Sequence, residues 1–179
     1  MVYLAPTNKE EYMNMLEWSL EQTLYPVAIR VPAGELVSTG IKDKTDYSIL
    51  NKFKVTKNGE KIAILGLGNF YQLACNLAEE IKSKLNISAT VINPVFMTGI
   101  DEELLENLKK AHNLVITLED GILDGGFGEK ISRFYSNSDM KVLNYGAKKE
   151  FTDRIPLDEL YEKYRLRKDL ILEDLEKFL

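Results

Sequence analysis

Residues 114–131 limit the possible folds of this chain more than any other segment. They begin with an apolar and β-branched run, Leu114 to Leu118, which is too short for a helix and is typical of a fully buried strand. Two acids, Glu119 and Asp120, follow. The pattern then predicts a helix that begins among Gly125, Gly126, Phe127 and Gly128. In open α/β sheets such strand ends tend to carry function, although the glycines alone can serve a tight turn and close backbone packing.

The second half of the chain alternates strand-like and helix-like patterns. Apolar runs are followed by stretches with apolar residues at helical spacing, an order typical of a parallel sheet with right-handed crossovers. The predicted strands lie at 62–65, 89–92, 114–118 and 140–143. We therefore predict an α/β fold in which a mainly parallel, twisted sheet carries helices on both faces.

A strand, a helix and a second strand are predicted at the start of the chain. Strand-like runs at 1–6 and 27–31 flank a helical repeat, which has capping-box spacing from Thr7 or Asn8. One face of this helix is predicted to comprise Tyr12, Leu16, Ser19, Leu20 and Leu24. The chain thus begins within a strand. Because termini are usually frayed and polar, this indicates a segment cut from something longer.

Residues 36–60 differ from their surroundings because they are polar and rich in charge. They predict a linker that contains an edge strand near 53–56 and a hairpin turn at Asn58–Gly59. Such a segment is a natural domain boundary. We accordingly divide the chain into residues 1–35, a linker of residues 36–60, and a larger domain of residues 61–179.

Charge and composition exclude several classes of protein. The 179 residues carry a net charge of −5, and no basic face of the kind that nucleic-acid binding requires is evident. No apolar run approaches the roughly 20 residues that span a bilayer, and no signal peptide is visible. The single cysteine, Cys75, excludes an internal disulfide and fits a reducing compartment. We therefore predict a cytoplasmic protein without nucleic-acid or membrane partners.

Few residues are candidates for chemistry. Gly66 and Gly68 resemble the start of a dinucleotide-binding turn, but Tyr71 replaces the third glycine and the next strand ends at Asn93 rather than at an acid. A plain tight turn is therefore favoured. The neighbouring acids Glu119 and Asp120 could serve as acid and base, but such pairs are more typical of a solvated turn or a helix anchor.

The only histidine and the only cysteine are both interpreted as structural. His112 is predicted at the C-terminus of a helix, where a cation favours the helix dipole. Cys75 is predicted to fill space on a helix. With no further histidine or cysteine available, the sequence predicts no metal site.

Arg30 is more informative, because it lies near the end of an apolar strand where a guanidinium needs a partner. Phosphate and carboxylate are its natural matches. The residue therefore predicts either an anion-binding site or an internal ion pair.

Three stretches together resemble a known family. They read Pro-Val-Ala-Ile-Arg-Val-Pro-Ala-Gly at 26–34, Lys-Ile-Ala-Ile-Leu-Gly-Leu-Gly at 61–68, and Val-Ile-Thr-Leu-Glu-Asp with Gly-Gly-Phe-Gly within 115–128. In this order and spacing they resemble the last third of the 1-deoxy-D-xylulose-5-phosphate synthases, which are thiamine-diphosphate enzymes of the transketolase family. The second and third stretches are shared by the wider family, whereas the first favours the synthases.

The resemblance implies an architecture and a reaction. Residues 1–35 would be the last strand–helix–strand of a pyrimidine-binding domain, and residues 61–179 the family's C-terminal domain. Thiamine-bound pyruvate would lose carbon dioxide, and the resulting carbanion would attack glyceraldehyde 3-phosphate, a step that leads to isoprenoid precursors. Glu119, Asp120 and the glycine-rich turn would serve close packing at a subunit interface.

The resemblance also implies what this chain lacks. The family's Gly-Asp-Gly…Asn motif, which holds the diphosphate and magnesium, and the glutamate that activates the cofactor lie upstream of the matched region. We therefore expect no catalytic, cofactor-binding or metal-binding residue in this chain, and no activity from it alone. Its expected partners are the remainder of the same polypeptide or a thiamine-domain subunit, in a homodimer.

One departure from the family bears on substrate binding. Arg30 matches a family arginine that contacts the acceptor phosphate, but the second such arginine falls at Val95. Losing one charge-assisted contact would cost about 1.5–3 kcal/mol, or about one to two powers of ten in affinity. Either Arg30 acts with another cation, or the acceptor differs and the parent protein is a divergent paralogue.

Two alternatives remain open from the sequence. The chain could be the C-terminal subunit of a split transketolase, encoded beside a separate thiamine-domain gene. It could also be a non-enzymatic dimerisation or docking module. The gene sequence upstream of Met1 separates the first alternative from a continuous synthase.

Overall fold

The computed structural model describes residues 1–32 and 34–178. Ala33 and Leu179 lie outside the described residues, although they belong to the predicted regions 1–35 and 61–179. Seven strands, six α-helices and one short 3-10 helix (Gly68–Phe70) follow one another along these residues. They are β1 (Val2–Leu4), α1 (Lys9–Glu21), β2 (Val27–Ile29), β3 (Lys54–Lys57), β4 (Lys61–Gly66), α2 (Tyr71–Leu85), β5 (Thr90–Asn93), α3 (Glu102–Leu108), β6 (His112–Ile122), α4 (Phe127–Tyr135), β7 (Lys141–Ala147), α5 (Leu157–Lys163) and α6 (Lys168–Leu175).

The main sheet has five strands in the order β3-β5-β4-β6-β7. Strands β4 to β7 are parallel, and only the edge strand β3 runs antiparallel, against β5. Parallel neighbours need crossover connections, and α2, α3 and α4 supply them. The predicted α/β fold with a mainly parallel sheet is confirmed.

The predicted hairpin at Asn58–Gly59 is wrong, although β3 is the edge strand that the sequence predicts. Strand β5 lies between β3 and β4, so the turn passes across the start of β5 instead of joining two paired strands. The Gly59 N–H donates to Thr90 Oγ1 at 2.9 Å. A β-carbon at Gly59 would lie 2.0 Å from the Ser88 carbonyl oxygen, so only glycine fits this crossing.

Each face of the sheet has its own core. On one face, α2, α5 and α6 cover β-branched and leucine side chains of β4 and β6, among them Ile62, Ile64 and Ile116. On the other face, α3 and α4 cover Ala63, Leu65 and Val115. The alternation along each strand places successive residues in opposite cores, which is why these strands read as continuous apolar runs.

The N-terminal strands form a separate two-stranded parallel sheet, β1 with β2. Helix α1 packs on it through Met15 and Trp18, and Trp18 meets the ring of Tyr47 at 6.2 Å between centroids. The apolar face predicted for this helix is therefore wrong in part, because Leu20 and Leu24 are each 78 % exposed. The buried face follows the aromatic contacts, which the helical repeat does not reveal.

A polar network attaches α1 to residues 36–60. Lys54 Nζ lies 2.7 Å from Glu11 Oε1 and 3.1 Å from Asp43 Oδ1. Asn93 Nδ2 also donates to Glu11, at 3.0 Å, and the Tyr47 hydroxyl donates to Asp43 at 2.7 Å. Residues 36–60 are thus held against both neighbouring regions. The division at residues 35 and 60 stays a prediction.

No helix within residues 1–32 and 34–178 has the length and apolar character needed to cross a bilayer.

Candidate functional site: the carboxyl edge of the parallel sheet

Arg30 and Asp120 meet where strand β2 and the main sheet come together. Arg30 directly follows β2, and its backbone N–H donates to the Leu4 carbonyl at 2.8 Å, which ties it to β1. Arg30 Nη2 lies 2.8 Å from Asp120 Oδ1. The side chains are 31 % and 27 % exposed, so this ion pair is only partly desolvated. The two features singled out in the sequence, the arginine and the acidic pair, therefore form one site.

The acids Glu119 and Asp120 belong to strand β6 and do not form the predicted turn. Strand β6 continues to Ile122, with an irregularity in its pairing with β7 between Leu118 and Ile122. Pairing resumes at Ile122 with Ala147. Successive strand residues point to opposite sides, so Glu119 and Asp120 have different surroundings. Glu119 contacts helix α4, whereas Asp120 contacts Arg30.

Glu119 holds the N-terminus of helix α4. Its carboxylate accepts hydrogen bonds from the backbone N–H groups of Phe127 at 2.9 Å and Gly128 at 2.8 Å. Glu119 is buried, with only 1 % of its surface exposed. Burial raises the pKa of Glu119 above its ordinary value, although these two donors and the charge of Arg30 oppose the rise. This carboxylate is an anchor for the helix start.

Gly128 allows helix α4 to approach the sheet closely. A β-carbon there would lie 2.5 Å from Thr117 Oγ1 and 2.8 Å from Asn144 Oδ1, and these two side chains are hydrogen-bonded to each other at 2.7 Å. The helix cannot retreat without breaking its bonds to Glu119. The contacts with Thr117 and Asn144 therefore explain why glycine is needed here for close packing. The location of this glycine at a subunit interface stays a prediction.

Replacing Gly128 by alanine should destabilise the chain by about 1–3 kcal/mol, the usual cost of forcing extra atoms into a packed site. Urea unfolding followed by circular dichroism measures the change. Gly34→Ala is the matched control, because nothing lies within 4 Å of the added carbon there. Equal stability of the two variants would show that α4 tolerates the added carbon.

Gly125 has positive φ of 73°, and Gly126 lies against Glu119, where a β-carbon would come within 2.8 Å of both carboxylate oxygens. The turn before α4 therefore requires glycine at position 125 because of the positive φ angle, and at position 126 because a β-carbon there would clash with Glu119. Phe127 is buried and packs against Phe53, with ring centroids 5.9 Å apart.

Val95 occupies a strained turn in the N-terminal core. Its φ is +65°, and the Phe96 N–H donates to the Pro94 carbonyl across it, which is a γ-turn of the rare, positive-φ kind. The side chain is fully buried with Leu4 and Phe96. Val95 therefore presents no polar group to a ligand.

The remaining candidates have structural contacts. His112 is the first residue of β6 and not part of a helix, so the prediction is wrong in its position, but the ring does lie at the C-terminus of α3. Its Nδ1 is 3.0 Å from the carbonyl oxygen of Leu108, the last residue of α3, and its Nε2 is 2.8 Å from Thr90 Oγ1. Cys75 packs on the α2 side of the core. At Gly66 an added β-carbon would lie 2.7 Å from the Tyr71 Cα, which explains the glycine by close packing of strand and helix.

Within the described part of the chain, no group of three or more histidine, cysteine, aspartate or glutamate side chains is arranged to hold a metal ion.

A cavity of about 720 Å³, which was not predicted from the sequence, lies at the same edge of the sheet. Asp120 lines it, together with α5 residues such as Tyr161. Helix α5 follows an irregular segment after β7. The amphipathic pattern of a helix does not show against which strands of the sheet the helix will pack. Tyr161 is thus a site residue that sequence reasoning missed.

Comparison with known proteins places this fold in a family. The family model for the transketolase C-terminal domain matches residues 51–171. The 1-deoxy-D-xylulose-5-phosphate synthase of Clostridium tetani is 34 % identical over 100 % of this chain and 29 % of its own length. That of Francisella tularensis subsp. novicida is 31 % identical over 99 % of this chain and 28 % of its own length. The chain thus spans less than a third of these relatives.

A solved structure has the same fold. It is described as a split gene transketolase, inactive beta4 tetramer, and it superposes with a TM-score of 0.80 at 24 % identity, covering 99 % of this chain and 57 % of that one. The resemblance inferred from three short stretches of sequence is confirmed by these comparisons. The chain belongs to the transketolase family, in which it carries the C-terminal domain.

Proposed function

We propose that this chain is the C-terminal part of a thiamine-diphosphate-dependent transferase of the 1-deoxy-D-xylulose-5-phosphate synthase type. The reaction would decarboxylate pyruvate and transfer the two-carbon unit to glyceraldehyde 3-phosphate. Relatives of that name align along the whole chain at 34 % and 31 % identity, which supports this activity over others in the family.

The observation that carries the proposal is the geometry of Arg30. One guanidinium nitrogen is held by Asp120 at 2.8 Å, while the side chain remains 31 % exposed. A guanidinium has five N–H donors in a fixed fork, so a group bound on one side leaves donors for a second anion. We assign Arg30 to the phosphate of the acceptor and Asp120 to the positioning of Arg30.

The chain would contribute one wall of the acceptor channel and leave the cofactor to other residues. Because the family motif that holds the diphosphate and magnesium lies upstream of the matched region, we place thiamine diphosphate and magnesium on the remainder of the same polypeptide or on a thiamine-domain subunit. We assign no step at the cofactor to this chain. A homodimer built through the region of Glu119 and the glycine-rich turn is part of the proposal.

Activity should require both parts. The chain alone should show no binding of thiamine diphosphate with magnesium by calorimetry and no product from pyruvate and glyceraldehyde 3-phosphate. The chain together with the thiamine-binding part that its own genome encodes should form 1-deoxy-D-xylulose 5-phosphate. Tight binding of the cofactor by the chain alone would contradict this division.

A split transketolase is the second candidate, because a solved structure described as such covers 99 % of this chain. The same reconstituted protein decides between the two. Turnover of a ketose phosphate donor with no turnover of pyruvate would favour the transketolase. Assembly without turnover of either donor would favour the non-enzymatic docking module.

A further inference from the structure

The cavity beside Asp120 has the size and walls of a small-molecule site. Its volume of about 720 Å³ falls within the ~300–1,000 Å³ of typical ligand pockets. It lies over the carboxyl ends of β4, β6 and β7, the edge at which open α/β sheets bind ligands. Phe70, Leu160 and Tyr161 form apolar walls, and the rings of Phe70 and Tyr161 stand edge to face with centroids 5.8 Å apart.

Acidic groups dominate the charged lining of this cavity. Glu35, Asp120 and Glu150 line it, against one cation, Lys148. Two of these acids already have partners. Glu150 is bound by Lys163 at 2.9 Å and by the Tyr164 hydroxyl, and Asp120 is bound through Oδ1 by Arg30 at 2.8 Å. Asp120 is the acid at the strand ends, and its charge, after burial, raises the pKa of the Tyr161 hydroxyl. A carboxylate thus lies beside aromatic walls.

We infer that this cavity binds a small molecule with an apolar or aromatic body and one protonated amine, and that Asp120 receives the amine. A cation gains from the carboxylate through a charge-assisted hydrogen bond and from the faces of the aromatic rings. An anion of the same shape can make neither of these contacts. Neither the family resemblance nor the comparisons assign a ligand to this cavity.

Asp120 is shared between the cavity and Arg30. An ammonium group on Asp120 competes with the guanidinium for the same carboxylate, so occupancy of the cavity weakens the ion pair. The effect on acceptor binding rests on the proposed function, because it requires Arg30 to bind the acceptor. The binding of an amine does not, so the two claims can fail separately.

Calorimetry of the chain with tryptamine tests the site, with indole-3-acetate as an anionic probe built on the same ring. Tryptamine should bind with a Kd of about 0.1–1 mM, as expected for a ligand of this size, and indole-3-acetate at least about tenfold more weakly. Asp120→Asn should weaken tryptamine about tenfold. Asp158→Asn, an exposed acid on the same helix α5 that does not line the cavity, should leave the affinity unchanged.

A second variant keeps the test decisive if Asp120→Asn does not fold. Leu160→Trp fills the cavity and should abolish tryptamine binding while the chain retains its thermal unfolding transition. In the wild-type chain, tryptamine should shift the NMR signal of the Arg30 side-chain Nε–Hε group, and indole-3-acetate should not. Equal affinity for the two probes, an unchanged affinity in Asp120→Asn, or loss of binding in the reconstituted enzyme would overturn the assignment.

Discussion

Replacing Lys54 by methionine should lower the free energy of unfolding by about 2–4 kcal/mol, because it leaves two acids without their shared cation. Glu11 and Asp43 both contact the Lys54 ammonium, and their side chains are only 7 % and 10 % exposed. Removing one partner of a buried ion pair typically costs about 3–5 kcal/mol, and we place this site lower because Lys54 itself is 25 % exposed.

The hydrogen bonds around Asp43 explain why this acid does not become neutral by taking up a proton when Lys54 is removed. Burial alone would raise the pKa of Asp43, but donors from Asn14, Thr45 and Tyr47, together with Lys54, hold it well below its usual range. Glu11 likewise accepts the backbone N–H and the hydroxyl of Thr7. Asp43 therefore stays charged at neutral pH when Lys54 is lost.

Urea unfolding of Lys54→Met and Lys57→Met measures this effect. Lys57 lies on the same strand β3 but is exposed, so its replacement controls for the loss of one positive charge on the protein. We expect Lys57→Met to change the free energy of unfolding by less than about 0.5 kcal/mol. Similar losses in both variants would mean that the network at Lys54 does not hold α1 and residues 36–60 together.

The parallel sheet could be predicted from the sequence because its strands are buried on both faces. Such strands read as continuous apolar runs, as in Leu114 to Leu118. The position of β5 between β3 and β4 could not be read in this way. A turn sequence such as Asn58–Gly59 indicates a change of direction, but not which strand will lie beside the chain afterwards.

The site was only half visible in the sequence. Arg30 stands out as a charge in an apolar run, and the residues after Leu118 stand out as acids, but their pairing joins two distant segments of the chain. Beyond Leu118, strand β6 continues through irregular pairing with β7, where the sequence predicts a turn. This pairing depends on a strand that is distant in sequence, so local sequence patterns do not reveal it. Val95 matched a family position in sequence, whereas its buried γ-turn depends on contacts with β1 and Phe96.

In the complete enzyme that contains this chain, Arg30→Ala should raise the KM for the acceptor about 10–100-fold, the consequence of losing a charge-assisted contact worth about 1.5–3 kcal/mol. The KM for pyruvate should change little, because the pair formed by Arg30 and Asp120 is assigned to the acceptor side only. Arg167→Ala serves as the control, since Arg167 is an exposed arginine whose contacts are with Glu162 and Asp169.

The central claim is that Arg30, held by Asp120, binds the phosphate of the acceptor. The ratio of the two KM changes in Arg30→Ala tests it most directly, in steady-state assays that vary one substrate at saturating concentrations of the other. We expect the acceptor KM to rise at least about ten times more than the pyruvate KM. Equal changes in both, or no change in either, would contradict the claim and leave Arg30 and Asp120 as an internal ion pair.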